Sequence, residues 1–348
     1  MLAGKCRFRF IGIAASIVSM LISPQVSIAI DQPELKRSLY QESEKPNPIY
    51  AIREDKAPLN IKDQLNGLRT QVASFRERGE GGAFTVGYTE ALGRPLKSLA
   101  GTVPPKDLRE RMKKQEELLK PKLGKTPAAP ECTKAENFDF LEKMSDVRDQ
   151  LTCGSCWVFG AVATYEGNYS IRFGKLVNGA EQYLLDCSGS GDCGGGWWDA
   201  AFEKLVSVKP IGMPPEGDDP YVGRETGRCS FNNLRYKASA WGYVVSEAVI
   251  PSVVQMKAAL CEHGPLVVAM KATPLFQVYT AGIFKEVLTG PDSNAINHAV
   301  TVVGWDDSKQ AWLIKNSWGR LWGIQGYGWI AYGSNNIGYA ASWIESLP

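Results

Sequence analysis

Gln150-Leu151-Thr152-Cys153-Gly154-Ser155-Cys156-Trp157 is the stretch on which the architecture turns. Its two cysteines are spaced C-x-x-C, which is compatible with a metal site, a redox pair or a nucleophile. A zinc site wants further Cys or His pairs at close spacing. Here Cys187 and Cys193 stand apart, and the chain's two histidines, His263 and His298, are isolated from each other. A thioredoxin-like redox pair wants a short βαβ context, which this stretch lacks. The nucleophile reading fits the residues beyond the motif. From Cys156 the chain runs Trp157-Val158-Phe159-Gly160-Ala161-Val162-Ala163-Thr164-Tyr165, a helical pattern that stops near Gly174. Cys156 would then occupy the first helical turn, where unpaired backbone N–H groups and the helix dipole favour an anion. A thiolate there has a lowered pKa, and the thiolate is the nucleophile.

A cysteine nucleophile needs a base, and only two histidines can supply it. His298 opens an apolar run directly after Asn297, and His263 lies in the turn Cys261-Glu262-His263-Gly264-Pro265. His298 is the better candidate, with His263 read as a solvated loop residue. Asn316, in Asn316-Ser317-Trp318-Gly319, comes after the next apolar run and can orient an imidazole without drawing off its proton. Trp318 would shield that hydrogen bond, or simply pack in the core.

Outward from these segments the chain divides in two. After residue 130 come all ten tryptophans, both histidines and seven of the eight cysteines. Seven is odd, so at least one thiol has no partner within the monomer, and it is a reactive thiol, an unpaired buried one or one that links two chains. Leu266-Val267-Val268-Ala269-Met270, His298 to Val303 and Trp312-Leu313-Ile314-Lys315 read as strands. A helix followed by strands predicts an α+β fold of two subdomains with a cleft between them. Before residue 128 the texture is charged and free of cysteine beyond Cys6. Two amphipathic stretches, 59–75 and 106–120, flank a break at Gly79-Glu80-Gly81-Gly82. The run from Lys120 to Pro130 mixes Pro, Lys and Ala and reads as an exposed linker and nicking site.

The first segment pairs Lys5, Arg7 and Arg9 with an apolar run from Phe10 to Ile22 and a Ser27-Ile28-Ala29 exit. That describes a secretory signal peptide over residues 1–29, which would remove Cys6 and place the chain where disulfides form. With a net charge of +2 on 348 residues, nothing calls for nucleic acid or an anionic surface as partner. No membrane attachment is expected after signal cleavage.

Cys153-Gly154-Ser155-Cys156-Trp157, Asn297-His298-Ala299-Val300 and Asn316-Ser317-Trp318-Gly319, in that order, resemble the papain family of cysteine proteases, cathepsins included. Trp322-Gly323 and Gly326-Tyr327-Gly328 continue the likeness, which spans roughly residues 132–345. The resemblance implies a papain-like fold with a helical left half and a β-barrel-like right half, preceded by an inhibitory propeptide. It divides the chain into a signal peptide (1–29), a propeptide (30–127) and a peptidase domain (128–348). It implies the catalytic set Cys156, His298, Asn316 and Gln150, with the Gln150 amide and the Cys156 backbone N–H forming an oxyanion hole. Gly195 and Gly196 would let a substrate backbone approach closely. Trp197, Trp198, Ala269, Ile296 and Ser342 would form an uncharged S2 pocket, with Asn297 and Trp318 also bordering the substrate site. The resemblance further implies the disulfides Cys153–Cys193 and Cys187–Cys229, which leaves Cys132 and Cys261 to pair by arithmetic. No metal or other cofactor is called for. The expected partners are polypeptide substrates and the chain's own propeptide, the expected state a monomer, and the expected location secreted, periplasmic or lysosome-like.

Phe84-Thr85-Val86-Gly87 and Leu96-Lys97-Ser98-Leu99-Ala100-Gly101-Thr102 resemble the short propeptide of cathepsin B-like enzymes, without the long helical motif of cathepsin L-type propeptides, and residues 84–101 are expected to run through the cleft and block Cys156. Two departures stand out. Leu151 occupies a usual glycine position, and Asn297 replaces an aspartate. No room exists between Gly196 and Cys229 for the insertion that makes cathepsin B a carboxydipeptidase, so endopeptidase activity is expected. The alternatives are a silent peptide-binding relative, a disulfide-braced interaction protein and a transglutaminase-like acyl transferase. Asn168-Tyr169-Ser170 is a glycosylation sequon, taken as coincidental because it falls within the expected helix.

Overall fold

The computed structural model describes residues 32–40, 48–120, 131–290 and 295–348. The expected signal peptide and most of the expected linker lie outside these residues. Before residue 121 the elements are α1 (Gln32–Tyr40), α2 (Ile49–Asp55), α3 (Leu59–Glu77), β1 (Phe84–Val86), α4 (Leu96–Leu99) and α5 (Leu108–Leu119). After residue 130 come β2 (Asn137–Asp139), α6 (Cys156–Phe173), α7 (Glu181–Cys187), β3 (Gly191–Asp192), β4 (Gly195–Gly196), α8 (Asp199–Val206) and β5 (Ala238–Tyr243). The chain ends with α9 (Val253–His263), β6 (Leu266–Met270), α10 (Pro274–Gln277), β7 (Tyr279–Phe284), β8 (His298–Asp306), β9 (Ala311–Lys315), β10 (Tyr327–Ala331) and β11 (Tyr339–Ser346). Among the described residues no helix is long and apolar enough to cross a membrane.

Helix α6 is buried over most of its length, with Thr164, Glu166, Asn168 and Ser170 buried among its apolar side chains. Gly160 lets it settle on the sheet, since a Cβ there would meet Val267 Cγ2 at 2.6 Å. Gly174, at φ +66°, ends the helix by donating its N–H to Ser170. Seven strands of the last third, joined by β1 and β2, form a nine-stranded sheet in the order β1-β7-β10-β9-β8-β6-β11-β5, with β2 paired to β8. All pairs are antiparallel except β7 with β10. One apolar cluster fills the sheet side around Trp305, Trp312, Trp318 and Trp322. A second surrounds α6 and includes Cys156, Trp157, Trp197 and Trp198. Disulfides join Cys132 to Cys261, Cys153 to Cys193 and Cys187 to Cys229.

The segment before residue 121 wraps the later domain. Strand β1 adds to the sheet edge at β7, and Leu35 and Leu39 of α1 enter a third cluster with Leu141, Met144 and Trp329. The 19-residue helix α3 buries Leu65, Leu68 and Val72, a longer helical element than the short cathepsin B-like propeptide expected from the sequence. Leu65, Leu68 and Val72 recur at spacings of three and four, the periodicity of a buried helical stripe.

His263 is not a solvated loop residue, contrary to expectation. It ends α9, is buried, stacks on Trp343 at 3.9 Å and lies 3.4 Å from Glu345. Asn168 is buried too. Its amide donates to His263 O at 2.8 Å and accepts from Ser346 N and Oγ, so it pins α6 to α9 and β11.

Candidate active site

Cys156 is the first residue of α6, fully buried, and the one free cysteine among the described residues. Its Sγ lies 3.1 Å from Thr102 Oγ1. The backbone N–H groups of Ala299, Gly101 and Trp157 also act on the sulfur. Burial pushes the thiol pKa up, and the Thr102 hydroxyl and these amides pull it back in part. Ala299 is the residue after His298, so the first turn of α6 and the start of β8 meet at this sulfur.

His298 is fully buried, and its Nε2 lies 2.8 Å from Asn316 Oδ1. The same Oδ1 accepts the Ser317 N–H at 2.9 Å. An atom accepting from a backbone N–H must be the amide oxygen, so His298 Nε2 carries the hydrogen. Nδ1 is left as the basic nitrogen, with no hydrogen bond of good geometry. Burial lowers the imidazole pKa to about 4, while the Asn316 side chain and the Leu99 backbone favour the charged form. Trp318 packs over the ring at 4.6 Å between centroids and is itself fully buried.

Lys315, the residue before Asn316, is anchored by a buried network. Lys315 Nζ donates to Ser145 O at 2.8 Å and Ser145 Oγ at 3.0 Å. Ser145 Oγ donates in turn to Glu166 of α6, whose Oε1 accepts the Gly179 N–H. Burial lowers the Lys315 pKa to about 8, and Glu166 opposes the shift. This network ties β9, and with it Asn316, to the helix that carries Cys156.

Gln150 is equally fixed. Its Oε1 accepts from Ser317 Oγ at 2.8 Å and Trp318 Nε1 at 3.1 Å. Two donors on the oxygen leave Nε2 to face Cys153 O at 2.8 Å and Leu99 O at 3.2 Å. Leu151 takes φ +56°, the left-handed conformation that glycine adopts freely, at a cost of about 1–2 kcal/mol. The loop therefore keeps the turn despite the side chain. Asp149 Oδ1 accepts the Leu151 N–H at 2.8 Å and is itself held by Arg94.

The expected S2 residues converge. Trp197 and Trp198 stack at 4.0 Å, Trp198 Nε1 donates to Ser342 Oγ at 3.0 Å, and Ser342 Oγ donates to Ala340 O at 2.8 Å. Ala269 is in the same cluster, and half-buried Ile296 packs against it. Asn297 turns its side chain away to bond both backbone groups of Ala272, and offers its backbone carbonyl to the cleft.

That carbonyl is occupied. Thr102 N–H donates to Asn297 O at 2.8 Å, Gly196 N–H to Gly101 O at 2.8 Å, and Val103 N–H to Gly196 O at 3.0 Å. Thr102 pairs with Gly196 in parallel. Residues 99–103 thus lie across Cys156, Gln150 and the glycine pair. The expectation that residues 84–101 run through the cleft is corrected by this placement. Residues 84–86 extend the sheet, Ala91 O and Arg94 O accept from Gln277 Nε2, and only the part from Leu99 onward enters the cleft. Thr102, beyond that range, is the residue at the sulfur. A threonine in a charged, weakly patterned segment carries no local signal of such a role.

The sequence model of the papain family cysteine proteases matches residues 134–346. The chain belongs to the papain family. Fruit bromelain of Ananas comosus is 34% identical over 55% of this chain and 52% of its own length. The curated relatives it matches are covered over 52% to 63% of their length. Among solved structures, digestive procathepsin L 3 of Tenebrio molitor larval midgut is 26% identical with a TM-score of 0.66, over 91% of this chain and 99% of that one. The bromelain protease of Ananas comosus, solved with the E64 inhibitor, is 31% identical with a TM-score of 0.54, over 61% of this chain and 99% of that one. The fit to a papain-family proform includes the wrapping segment before residue 121. It is to a procathepsin L, where the sequence suggests a cathepsin B-like propeptide.

Proposed function

We propose that this chain is the precursor of a secreted cysteine endopeptidase. Cys156 attacks the scissile carbonyl, and His298 takes and returns the proton through Nδ1. Asn316 holds the imidazole through Nε2, and Gln150 Nε2 stabilises the oxyanion. The observation that carries the reading is a free cysteine at a helix start, set against the backbone beside an asparagine-held histidine. Residues 30–127 act as the propeptide and 128–348 as the peptidase domain, with release by cleavage in the 121–130 segment. The signal peptide reading of residues 1–29 sends the chain out of the cytoplasm.

The inhibitory part is residues 99–103. Leu99 O occupies the Gln150 amide and Thr102 covers the sulfur. Excluding water from both catalytic groups raises the thiol and lowers the imidazole, which keeps the pair neutral. Release readmits water and lets the pair ionise.

An apolar S2 wall with its one hydroxyl already satisfied suits a bulky hydrophobic P2 side chain. A buried cation there would find no counter-charge among Trp197, Trp198, Ala269, Ile296 and Ser342. Processed enzyme assayed on peptides differing only at P2 should favour Leu or Phe over Arg by roughly tenfold or more in kcat/KM. Equal or better turnover of the Arg peptide would contradict the pocket assignment.

A further inference from the structure

We propose that Asp199, uncovered when the propeptide leaves, selects a basic substrate side chain on the far side of the S2 wall from Cys156. This rests on the peptidase reading and adds a specificity determinant to it.

The path of the propeptide marks the place. Moving away from Cys156, the chain passes Thr102 at the sulfur, Val103 at Gly196, and then helix α5. Helix α5 lies along β5, with Leu108 and Met112 in the cluster that holds Trp197 and Trp241, and with Gln115 Nε2 donating to Trp241 O at 2.6 Å. Its one ion pair to the later domain among the described contacts is Arg111 Nη1 to Asp199 Oδ2 at 3.0 Å. Asp199 is the residue after the Trp197-Trp198 pair of the S2 wall.

The carboxylate is built to hold a cation. It is 5% exposed, and its Oδ1 accepts the Ala200 N–H at 2.7 Å. Oδ2 is satisfied by Arg111, a residue of the departing segment. Burial works against ionisation and Arg111 works for it. The nearby Asp107 belongs to the propeptide, already binds Arg111 and leaves with it. Removal of residues 104–120 therefore takes away both the cover and the counter-charge of this carboxylate at the end of the cleft. A charge-assisted bond to a cation is stronger than one between neutral groups. A substrate lying along Gly195 and Gly196, with a Lys or Arg upstream of P2, supplies the group that Arg111 supplies in the precursor.

The test uses the full chain, folded as precursor, processed by limited proteolysis, and titrated with E-64 for active-site concentration. Peptides with Leu at P2 carry Lys, norleucine or Glu singly at P3 or P4. Wild type should favour Lys over norleucine by about fivefold in kcat/KM at one of the two positions, with Glu below both. Asp199→Asn should bring the Lys-to-norleucine ratio to about one, and Asp199→Glu should keep it above one. A wild-type ratio near one at both positions, or an undiminished ratio in Asp199→Asn, overturns the proposal. Should Asp199→Asn not fold, the wild-type ratio decides at low and at molar salt. Compression by salt supports an ionic origin, and a salt-independent ratio overturns it. Turnover of the norleucine peptide without a basic preference leaves the peptidase reading standing. Failure to hydrolyse any peptide, with no E-64 adduct, removes both.

Discussion

Cys156→Ala is expected to lower kcat/KM on a Leu-P2 peptide by about 10⁴-fold or more, with the fold unchanged. In the proposed mechanism Cys156 acts as one unit with His298, so removing it leaves only binding and oxyanion contacts. The structural cost is small. The change deletes one sulfur, and of its partners the Thr102 hydroxyl and the Gly101 N–H are on the propeptide and leave the mature enzyme anyway, while the Ala299 and Trp157 N–H groups stay. Three disulfides and the packing of α6 remain. Hydrolysis by purified processed enzyme, with circular dichroism as the folding control, checks the expectation. Residual activity within tenfold of wild type would mean that another group performs the attack.

Gly101→Val should open the precursor. A Cβ at residue 101 would lie 1.9 Å from Gly154 O and 2.5 Å from Gly154 C. Neither atom can retreat. Gly154 N–H donates to Cys193 O at 2.8 Å, and Gly154 sits between Cys153, in a disulfide, and Ser155, at the start of α6. The inhibitory segment must therefore lift, at a cost of roughly 1–3 kcal/mol or more. Lifting also breaks the Thr102–Asn297 and Gly196–Gly101 hydrogen bonds. Helices α3 and α5 stay anchored by their own clusters, so the variant remains a tethered precursor. E-64 should label Cys156 in this precursor roughly 10- to 100-fold faster than in the wild-type precursor. An unchanged rate would mean that residues 99–103 do not govern access to the thiol.

The parts of the molecule with local periodicity can be read from the chain alone. Helix α6 and its Gly174 stop, strands β6 and β9, and the two amphipathic propeptide helices each carry their signal within a few turns or residues. Cys156, His298, Asn316 and Gln150 are legible because three short motifs fall in a set order. Other features depend on partners far away in sequence. His263 reads as a loop residue because nothing near it announces Trp343 or Glu345. The role of Gly101 depends on a backbone carbonyl more than fifty residues later, and one glycine among many gives no hint of it. The same holds for Thr102 at the sulfur and Arg111 at Asp199. Leu151 is visible as a departure in the sequence, yet only its positive φ reveals that the turn survives the substitution.

The proposed catalysis depends on a sulfur that becomes charged because an imidazole accepts its proton once the propeptide has gone. The direct measurement is the rate of Cys156 alkylation by iodoacetamide from pH 4 to 9, in processed wild type and in His298→Ala. In the precursor both groups are held neutral, the thiol raised and the imidazole lowered to about 4. In the processed enzyme the pair should ionise, so reaction should persist well below about pH 8.5, the ordinary thiol range. It should fall off only where acid protonates the thiolate of the pair. His298→Ala should lose that low-pH reactivity and titrate as an ordinary thiol. Superimposable profiles, both rising near about pH 8.5, would contradict this mechanism.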